Sequence, residues 1–544
     1  MTSVPLNTIH FILAGIWVGG LLAFLVAVFS ATGQSAKKQW LSIGTLGLLS
    51  ATELLLLVSV LVVGLMAAHP MVHPMYAAVF VTESGRVLIT KFMLVLIVLT
   101  IGLLAHFVWL PALRRRAEGA SGVRLMLRIG VSIQMVLALA LGMAGGKLSH
   151  MHPPNHAVIN DWPYSFRFSI DNTWGMSMQD TIIRVWVAVA LVILAAGAIM
   201  LGQRLGWKSK LRVGVPVALI VGALGVGVPG FTIPAFQETY RPTPVAFNAS
   251  SVAHAMQLFS ENCVPCHGPQ AKGDGVLAKT LPTKPVNLLM EPHANMHTPG
   301  DFFHWVTNGI PGTAMPAWGE KFSDEERWSI VNLIHAISRG YQARIVNPRV
   351  FPDPMYLAPP NFSYVAHDGT SSQLKYFREE KNVLLVIFSW PESRERIDQL
   401  KGLAADLKSR ETEILLVPKN PLNPQDLDAV TKDAPFSVVT EGAENVARAY
   451  SLFRRTIRNP DIIGEGSVPA HMEFLLDRYG YLCARWIPSL EKDGWDDANV
   501  LTQQIDALNK DKTVLPLPGE YVHEPIGGDM DMSNMNHDMS DMKM

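Results

Sequence analysis

Residues 261–270 read "ENCVPCHGPQ" and hold two of the chain's three cysteines, Cys263 and Cys266, with His267 directly after the second. The C-x-x-C-H spacing is that of covalent haem attachment. Each cysteine forms a thioether to a vinyl group, and the histidine binds iron from one face. The competing reading is a redox or zinc C-x-x-C that happens to precede a histidine. The residues downstream argue against it. Gly268 and "KGDG" (272–275) supply sharp turns for a loop under the ring edge. Nearer the end of the segment, "PGTAMPAW" (311–318) sets Met315 between prolines in a loop, where a second axial ligand belongs.

"SDEERWSIVNLIHAI" (323–337) reads as a terminal helix. Ser323 is its N-cap, Glu326 completes a capping box, and Trp328, Val331, Ile334 and His335 recur at helical spacing. The stretch 250–342 thus resembles the class I monohaem cytochromes c. The resemblance implies an all-α domain with one covalent haem c, iron ligated by His267 and Met315. With both axial positions filled, such a haem relays electrons. On ligand chemistry alone His293, His297 and His304 compete with Met315, but they lack its setting.

The totals bound the rest. A chain of 544 residues with net charge −1 gives no electrostatic reason to expect a nucleic-acid partner. Its 17% charged residues fall below the usual share of about 25% in soluble proteins, which points to a membrane portion. Cysteines are too few for a disulfide framework. Six apolar runs, near 8–31, 41–68, 86–113, 126–146, 181–203 and 212–231, approach the ~20 residues needed to span a bilayer. Lys37, Lys38, Arg114, Arg115, Arg116, Arg124, Arg204, Lys208, Lys210 and Arg212 fall in alternate loops, which the positive-inside rule places in the cytoplasm. Both termini, and everything beyond residue 231, are then expected in the periplasm of a bacterial inner membrane. Covalent c-type haem is attached on that same side.

The expected outer loops carry "AAHPMVHPMY" (67–76), with His69, Met71, His73 and Met75, and "LSHMHPPNH" (148–156), with His150, Met151, His152 and His156. Imidazole together with thioether suits copper, and the soft sulfur favours Cu(I). His10, Glu53, Lys91, His106 and Gln134 lie within the apolar runs, where polar groups are costly and usually functional. His10 and Lys91, both near the outer surface, are expected to join His69 in one site. Ordinary loop histidines, a snorkelling Lys91 and an interfacial His10 are the bland alternative. "HFILAGIWVGGLLAF" (10–24), "SGRVLITKFMLVLIVLTIGLLAHFVWLP" (84–111) and "RIGVSIQMVLALALGMAGGKLSHMHPP" (128–154) resemble the copper-resistance D membrane proteins, and the resemblance implies copper handling by a six-helix transmembrane domain over 1–231. Gln134 departs from the glutamate that the resemblance leads one to expect.

After a linker (232–249) and the cytochrome segment, residues 355–512 read as soluble α/β. "NVLLVIFSW" (382–390) and "EILLVP" (413–418) are buried strands, with an amphipathic helix between them. "ENVARAYSL" (444–452) is a short helix, and "VPAHMEFLLDRYGYLCARW" (468–486) is a hairpin turning at Gly480. The order resembles the thioredoxin fold, whose cis-proline would correspond to Val468–Pro469. Where that fold has Trp-Cys-x-x-Cys, this chain has Trp390-Pro391-Glu392-Ser393-Arg394, so thiol–disulfide exchange is excluded at that place. Cys483 is expected to be packed in a strand, and the domain to serve as a binding or docking module, for instance for the cytochrome segment.

Residues 513–544 form a tail with Met530, Met532, Met535, His537, Met539, Met542 and Met544, too polar to bury a core, expected to be disordered when free, and suited to capturing Cu(I). The sequence therefore leads to a multidomain membrane protein that combines single-electron transfer with copper binding, uptake or tolerance. Its expected partners are the lipid bilayer, copper ions and a periplasmic or membrane redox protein. The alternative is an electron-transfer subunit of a respiratory complex, whose helices anchor it or contact quinol. A third reading, b-type haem between transmembrane histidines, lacks a clean axial pair.

Overall fold

The computed structural model describes residues 3–30, 36–73, 75–115, 121–169, 173, 178–290, 297–351, 357–461, 468–491 and 493–522. The chain divides into two compact units, Met1–Ile159 and Asn160–Met544. All six apolar runs form helices long and apolar enough to cross a membrane, four in the first unit and two in the second.

The first unit contains α1 (Ser3–Ser30), α2 (Ala36–Val72), α3 (Glu83–Leu104) and α4 (Ser121–Ser149). Beyond α3 the chain runs on through a π turn, Ala105–Trp109, and a short helix, Leu110–Arg115. Trp17, Leu21 and Phe24 of α1 pack with Leu57, Val98, Leu127 and Val131 in the interior. The outer faces are apolar as well: Phe11, Leu55, Phe107, Val136 and Met143 are all exposed. Helices that are apolar all round, in a unit this small, suit lipid rather than water.

In the second unit α5 (Met178–Arg204) and α6 (Ser209–Gly227) form a hairpin. Its ends are joined by a two-stranded antiparallel ribbon, β1 (Phe166–Phe168) against β2 (Thr232–Pro234). Residues 232–249, read as a linker from sequence, make specific contacts: Trp162 N–H donates to the Gln237 carbonyl at 2.7 Å, and Ala249 N–H to that of Asn361 at 2.8 Å. Three helices come next, α7 (Ala249–Asn262), α8 (Pro299–Asn308) and α9 (Asp324–Gln342). All three open on capping boxes: Asn248 with Ser251, Thr298 with Asp301, and Ser323 with Glu326. The last is the one expected from sequence.

The remainder is a seven-stranded sheet in the order β4-β3-β7-β6-β5-β8-β9: β3 Ser363–Ala366, β4 Ser371–Gln373, β5 Asn382–Phe388, β6 Thr412–Pro418, β7 Ser437–Glu441, β8 His471–Leu476 and β9 Leu482–Trp486. The parallel pair β5–β6 is connected by α10 (Arg394–Ser409), and β8–β9 is an antiparallel hairpin succeeded by α13 (Ala498–Lys510). Between them lie α11 (Pro424–Thr431) and α12 (Ala443–Tyr450). A βαβ unit joined to a ββα unit through a central strand is the thioredoxin-like topology. Among the described residues the cis peptide bond is Trp390–Pro391, so the expected place at Val468–Pro469 is corrected.

Every residue of β5 is buried, and its side chains alternate between two cores. Leu384, Val386 and Phe388 pack with Leu400 and Leu407 of α10 and Leu501 and Ile505 of α13. Val383, Leu385 and Ile387 belong to a core that continues through Tyr450 and Phe453 into Phe247, Val252, Phe259, Trp328 and Ile334 of the preceding helical segment. The sheet and the C-x-x-C-H helices thus share one hydrophobic core.

Candidate haem site and polar clusters

α7 ends at Asn262, and the chain makes one further helical turn, Val264–His267. His267 N–H donates to the Cys263 carbonyl at 2.8 Å and Cys266 N–H to the same oxygen at 3.1 Å. Cys263, Cys266 and His267 therefore stand at i, i+3 and i+4, one face of a single turn. Gly268 leaves that turn at φ +75°. The loop then folds back: Gly273 N–H donates to His267 O at 2.9 Å, Gly275 N–H to Cys266 O at 3.1 Å and Leu277 N–H to Pro265 O at 2.9 Å. A Cβ on Gly275 would collide with the Pro265 carbonyl, so glycine is required for this close approach.

The residues fit haem c. His267 is half-buried, and its buried Nδ1 makes no hydrogen bond of ordinary geometry, although the Val286 backbone lies beside the ring. Burial lowers the imidazole pKa and Val286 opposes this; the neutral ring is the form that binds iron. Burial, reinforced by Cys266 and opposed by Lys321, pushes the Cys263 thiol up to about 12. A site that disfavours thiolate suits neutral thioether sulfur. Both cysteines are free of disulfides. The loops after the turn expose Val276 (80%), Leu277, Val286 and Met290, apolar groups that a porphyrin edge would cover.

Met315 sits in the loop that returns along α8. Ile310 N–H donates to its carbonyl at 3.3 Å, and Trp318 N–H to Val306 O at 3.0 Å. Its side chain is half-buried against the same core that Cys263, Val264, Trp305 and Trp318 border. The competing histidines are engaged elsewhere. His304 Nδ1 lies 2.8 Å from Glu238 Oε2 with its ring stacked 4.0 Å from Phe236. His297 stands edge-on to Trp305 at 4.7 Å. His293 lies outside the described residues.

The outer-loop residues are brought together in part. The His69 and His73 rings stack at 5.2 Å, and Tyr76 Oη lies 3.1 Å from His69 Nε2. The second loop is tied to the first by Asn155 Nδ2, which donates to Pro70 O at 3.1 Å and to His73 O at 2.9 Å. His150 and His152 are exposed. No group of three or more His, Cys, Asp or Glu side chains that could hold a metal ion occurs among the described residues. His10 packs against Gly64 of α2. Met530, Met532, Met535, His537, Met539 and Met542 lie outside the described residues.

A further cluster escaped sequence reading. Buried Ser393, directly before α10, has Oγ 2.9 Å from His471 Nδ1, and His471 Nε2 is 2.8 Å from Glu473 Oε1. Arg396 donates to both Glu473 oxygens, at 2.7 and 2.9 Å. Burial opposes ionisation of Glu473, but Arg396 and then His471 overcome it and hold the carboxyl down at about 2. The signal was Glu473 itself, an acid flanked by the apolar Met472, Phe474, Leu475 and Leu476 of β8. Cys483 is buried in β9, and burial, then Asp477, raises its thiol well above the usual range.

Residues 250–334 match the family described as cytochrome c oxidase, cbb3-type, subunit III. Among curated proteins none matches the chain. Similar solved structures include the thioredoxin domain of a thiol-disulfide oxidoreductase from Bacteroides vulgatus (17% identity, 28% of this chain and 94% of that chain, TM-score 0.21). A thiol:disulfide interchange protein from Bacteroides sp. is 17% identical over 30% of this chain and 92% of its own, TM-score 0.22. Peroxiredoxin Q from Xanthomonas campestris is 15% identical over 29% and 99%, TM-score 0.22. The chain therefore carries a cytochrome c domain, which implies haem c and electron transfer, beside a thioredoxin-like domain and six candidate membrane helices.

Proposed function

We propose that the protein is a membrane-anchored c-type cytochrome, facing the periplasm of a bacterial inner membrane, that couples single-electron transfer to copper handling. The observation that carries the reading is the single turn presenting Cys263, Cys266 and His267 on one face. Haem c, when bound, supplies a one-electron Fe(III)/Fe(II) couple. Cys263 and Cys266 would hold the haem covalently, and His267 and Met315 would ligate its iron. This ligand pair would raise the potential and favour electron relay over oxygen binding.

Copper, as cargo, is met by His69, His73, Met71 and Met75 of one outer loop, by His150 and His152 of the next, with His10 beneath them, and by the Met/His-rich tail. The stacked His69–His73 pair and the Asn155 tie between the loops support this, as does the resemblance of residues 1–230 to copper-resistance D proteins. The basic loops support the orientation.

The test is a Cu(I) titration of the purified protein beside a variant lacking 527–544 with His69, His73, His150 and His152 replaced by alanine. Stoichiometric binding lost in the variant supports copper handling; binding unchanged overturns it. Anaerobic addition of Cu(II) to the reduced protein should oxidise one haem for each Cu(I) formed, and an unreacted haem would remove the redox coupling.

The matched family's description, an oxidase subunit, favours a second reading: an electron-transfer subunit of a respiratory complex. One haem c with no copper and an added b-type spectrum would select it.

A further inference from the structure

In the first unit four polar side chains, His10, Glu53, Lys91 and Gln134, each rest on a glycine of a neighbouring helix. His10 of α1 lies over Gly64 of α2, its Cε1 2.8 Å from where a Cβ would stand, and Lys91 of α3 lies over Gly145 of α4 at 3.5 Å. Eleven residues deeper on α2 and α3, or about 16 Å along a helix axis, the pattern repeats. The Glu53 carboxyl of α2 occupies the notch at Gly20 of α1, and Gln134 Nε2 of α4 lies 3.2 Å from a Cβ position on Gly102 of α3. Leu54, next to Glu53, touches the same Gly102, so Glu53 and Gln134 belong to one level of the bundle.

The two members of this level differ. Gln134 Nε2 donates to Val98 O at 3.0 Å. Glu53 is only 8% exposed, and its buried Oε2 has no hydrogen-bond partner. The charged or titratable groups on the packed elements include His106 in the π turn, Arg114 over Gly47, Arg124, and Arg128 beside Phe29, with His10 and Lys91 at the other level and His69, Glu83, Arg86 and Lys147 beyond it. None makes an ion pair with Glu53 among the described residues. An ionised carboxylate in hydrocarbon without a cation or donors is strongly disfavoured, and an intramembrane acid retained in such a place is by default functional. No group of three His, Cys, Asp or Glu surrounds it to hold a metal ion among the described residues. Gly20 is needed only because residue 53 is large and turned inward; two ordinary apolar side chains would fill the same space without a buried polar atom.

We propose that Glu53 is a proton-binding site inside the four-helix unit: its carboxyl is carried protonated, and it is the group through which this unit takes up and releases a proton. The step is a plain acid–base one, carboxylate plus proton giving carboxylic acid, and requires no electron donor. It is independent of the haem and copper readings.

The full-length protein in detergent, treated with dicyclohexylcarbodiimide, tests this, because that reagent attacks protonated carboxyls in apolar surroundings. Mass spectrometry should place the adduct on the peptide containing Glu53. Infrared spectra should show a protonated-carboxyl carbonyl band that shifts in D2O and vanishes in Glu53→Gln. An unlabelled Glu53 with no such band would overturn the proposal, since the carboxyl would then be ionised and paired. A band present but unmoved in D2O would overturn exchange and leave a sealed structural acid. Should Glu53→Gln fail to fold, the labelled peptide of the unsubstituted protein still decides.

Discussion

Arg485 of β9 donates from Nη2 to the carbonyl of Val346, just beyond the terminal helix of the cytochrome segment, at 2.6 Å. Its Nη1 reaches the carbonyls of Ala343, Phe453 and Arg455 at 3.2, 2.7 and 2.6 Å. The side chain is fully buried, and burial brings its pKa down to about 10, so it remains charged at neutral pH. One guanidinium thus ties the chain that leaves the terminal helix of the cytochrome segment to the sheet domain.

Arg485→Met leaves those carbonyls without their donor. Unpaired buried acceptors cost about 1–3 kcal/mol each before relaxation, so a loss of roughly 3–5 kcal/mol is expected. Because the two segments share a core, haem absorbance and far-ultraviolet circular dichroism should melt together in the parent protein. In Arg485→Met the sheet transition should move to lower denaturant and separate from the haem transition. Coincident, unshifted transitions would refute the coupling.

The Arg396–Glu473 pair gives a pH-dependent expectation. The carboxyl is held at about 2, below its ordinary 4.5, so its contribution is present above about 4.5 and lost as pH falls towards 2. Arg396→Gln leaves the carboxylate buried with His471 alone, at a cost of about 3–5 kcal/mol at neutral pH. The urea-midpoint difference between parent and variant should be largest near neutrality and shrink steadily through the acid range. A constant difference would mean that Arg396 acts through packing.

Local signals were legible in the sequence and long-range ones were not. C-x-x-C-H, the Ser323–Glu326 capping box and the continuous apolar run of β5 are each contained within one short segment. The strands β3, β4 and β7 went unread because they are short and mixed in polarity, and only pairing with distant strands makes them strands. Ser393 and His471, or Gly20 and Glu53, are remote in sequence; a glycine in an apolar helix does not announce which polar group will rest upon it. Burial of β5 could be inferred, but not that Val383, Leu385 and Ile387 face a core shared with the cytochrome segment.

Gly275→Ala places a Cβ against the Pro265 carbonyl and the Cys266 backbone, inside the turn that presents the haem ligands. The loop must shift, and the hydrogen bonds from Gly275 and Leu277 to that turn are expected to break. Haem-stained denaturing gels should show covalent haem reduced at least severalfold, with the polypeptide still present. Full haem content would show that the loop yields without moving the turn.

Met315→His asks whether the thioether sets the potential. Its loop is held by backbone bonds from Ile310 to the Met315 carbonyl and from Trp318 to Val306, neither of which involves the side chain, so the substitution should leave the loop in place. The new imidazole is a stronger donor to the oxidised iron than a thioether, and bis-histidine haems accordingly lie lower than His/Met ones. A fall on the order of 0.1–0.3 V is expected, within the ~0.8 V range over which axial ligands tune haem. Met315→Ala separates ligation from packing: it should open a position that binds added imidazole or cyanide, which the parent protein resists. An unchanged potential in Met315→His, together with no ligand binding in Met315→Ala, would assign the second axial position to another residue.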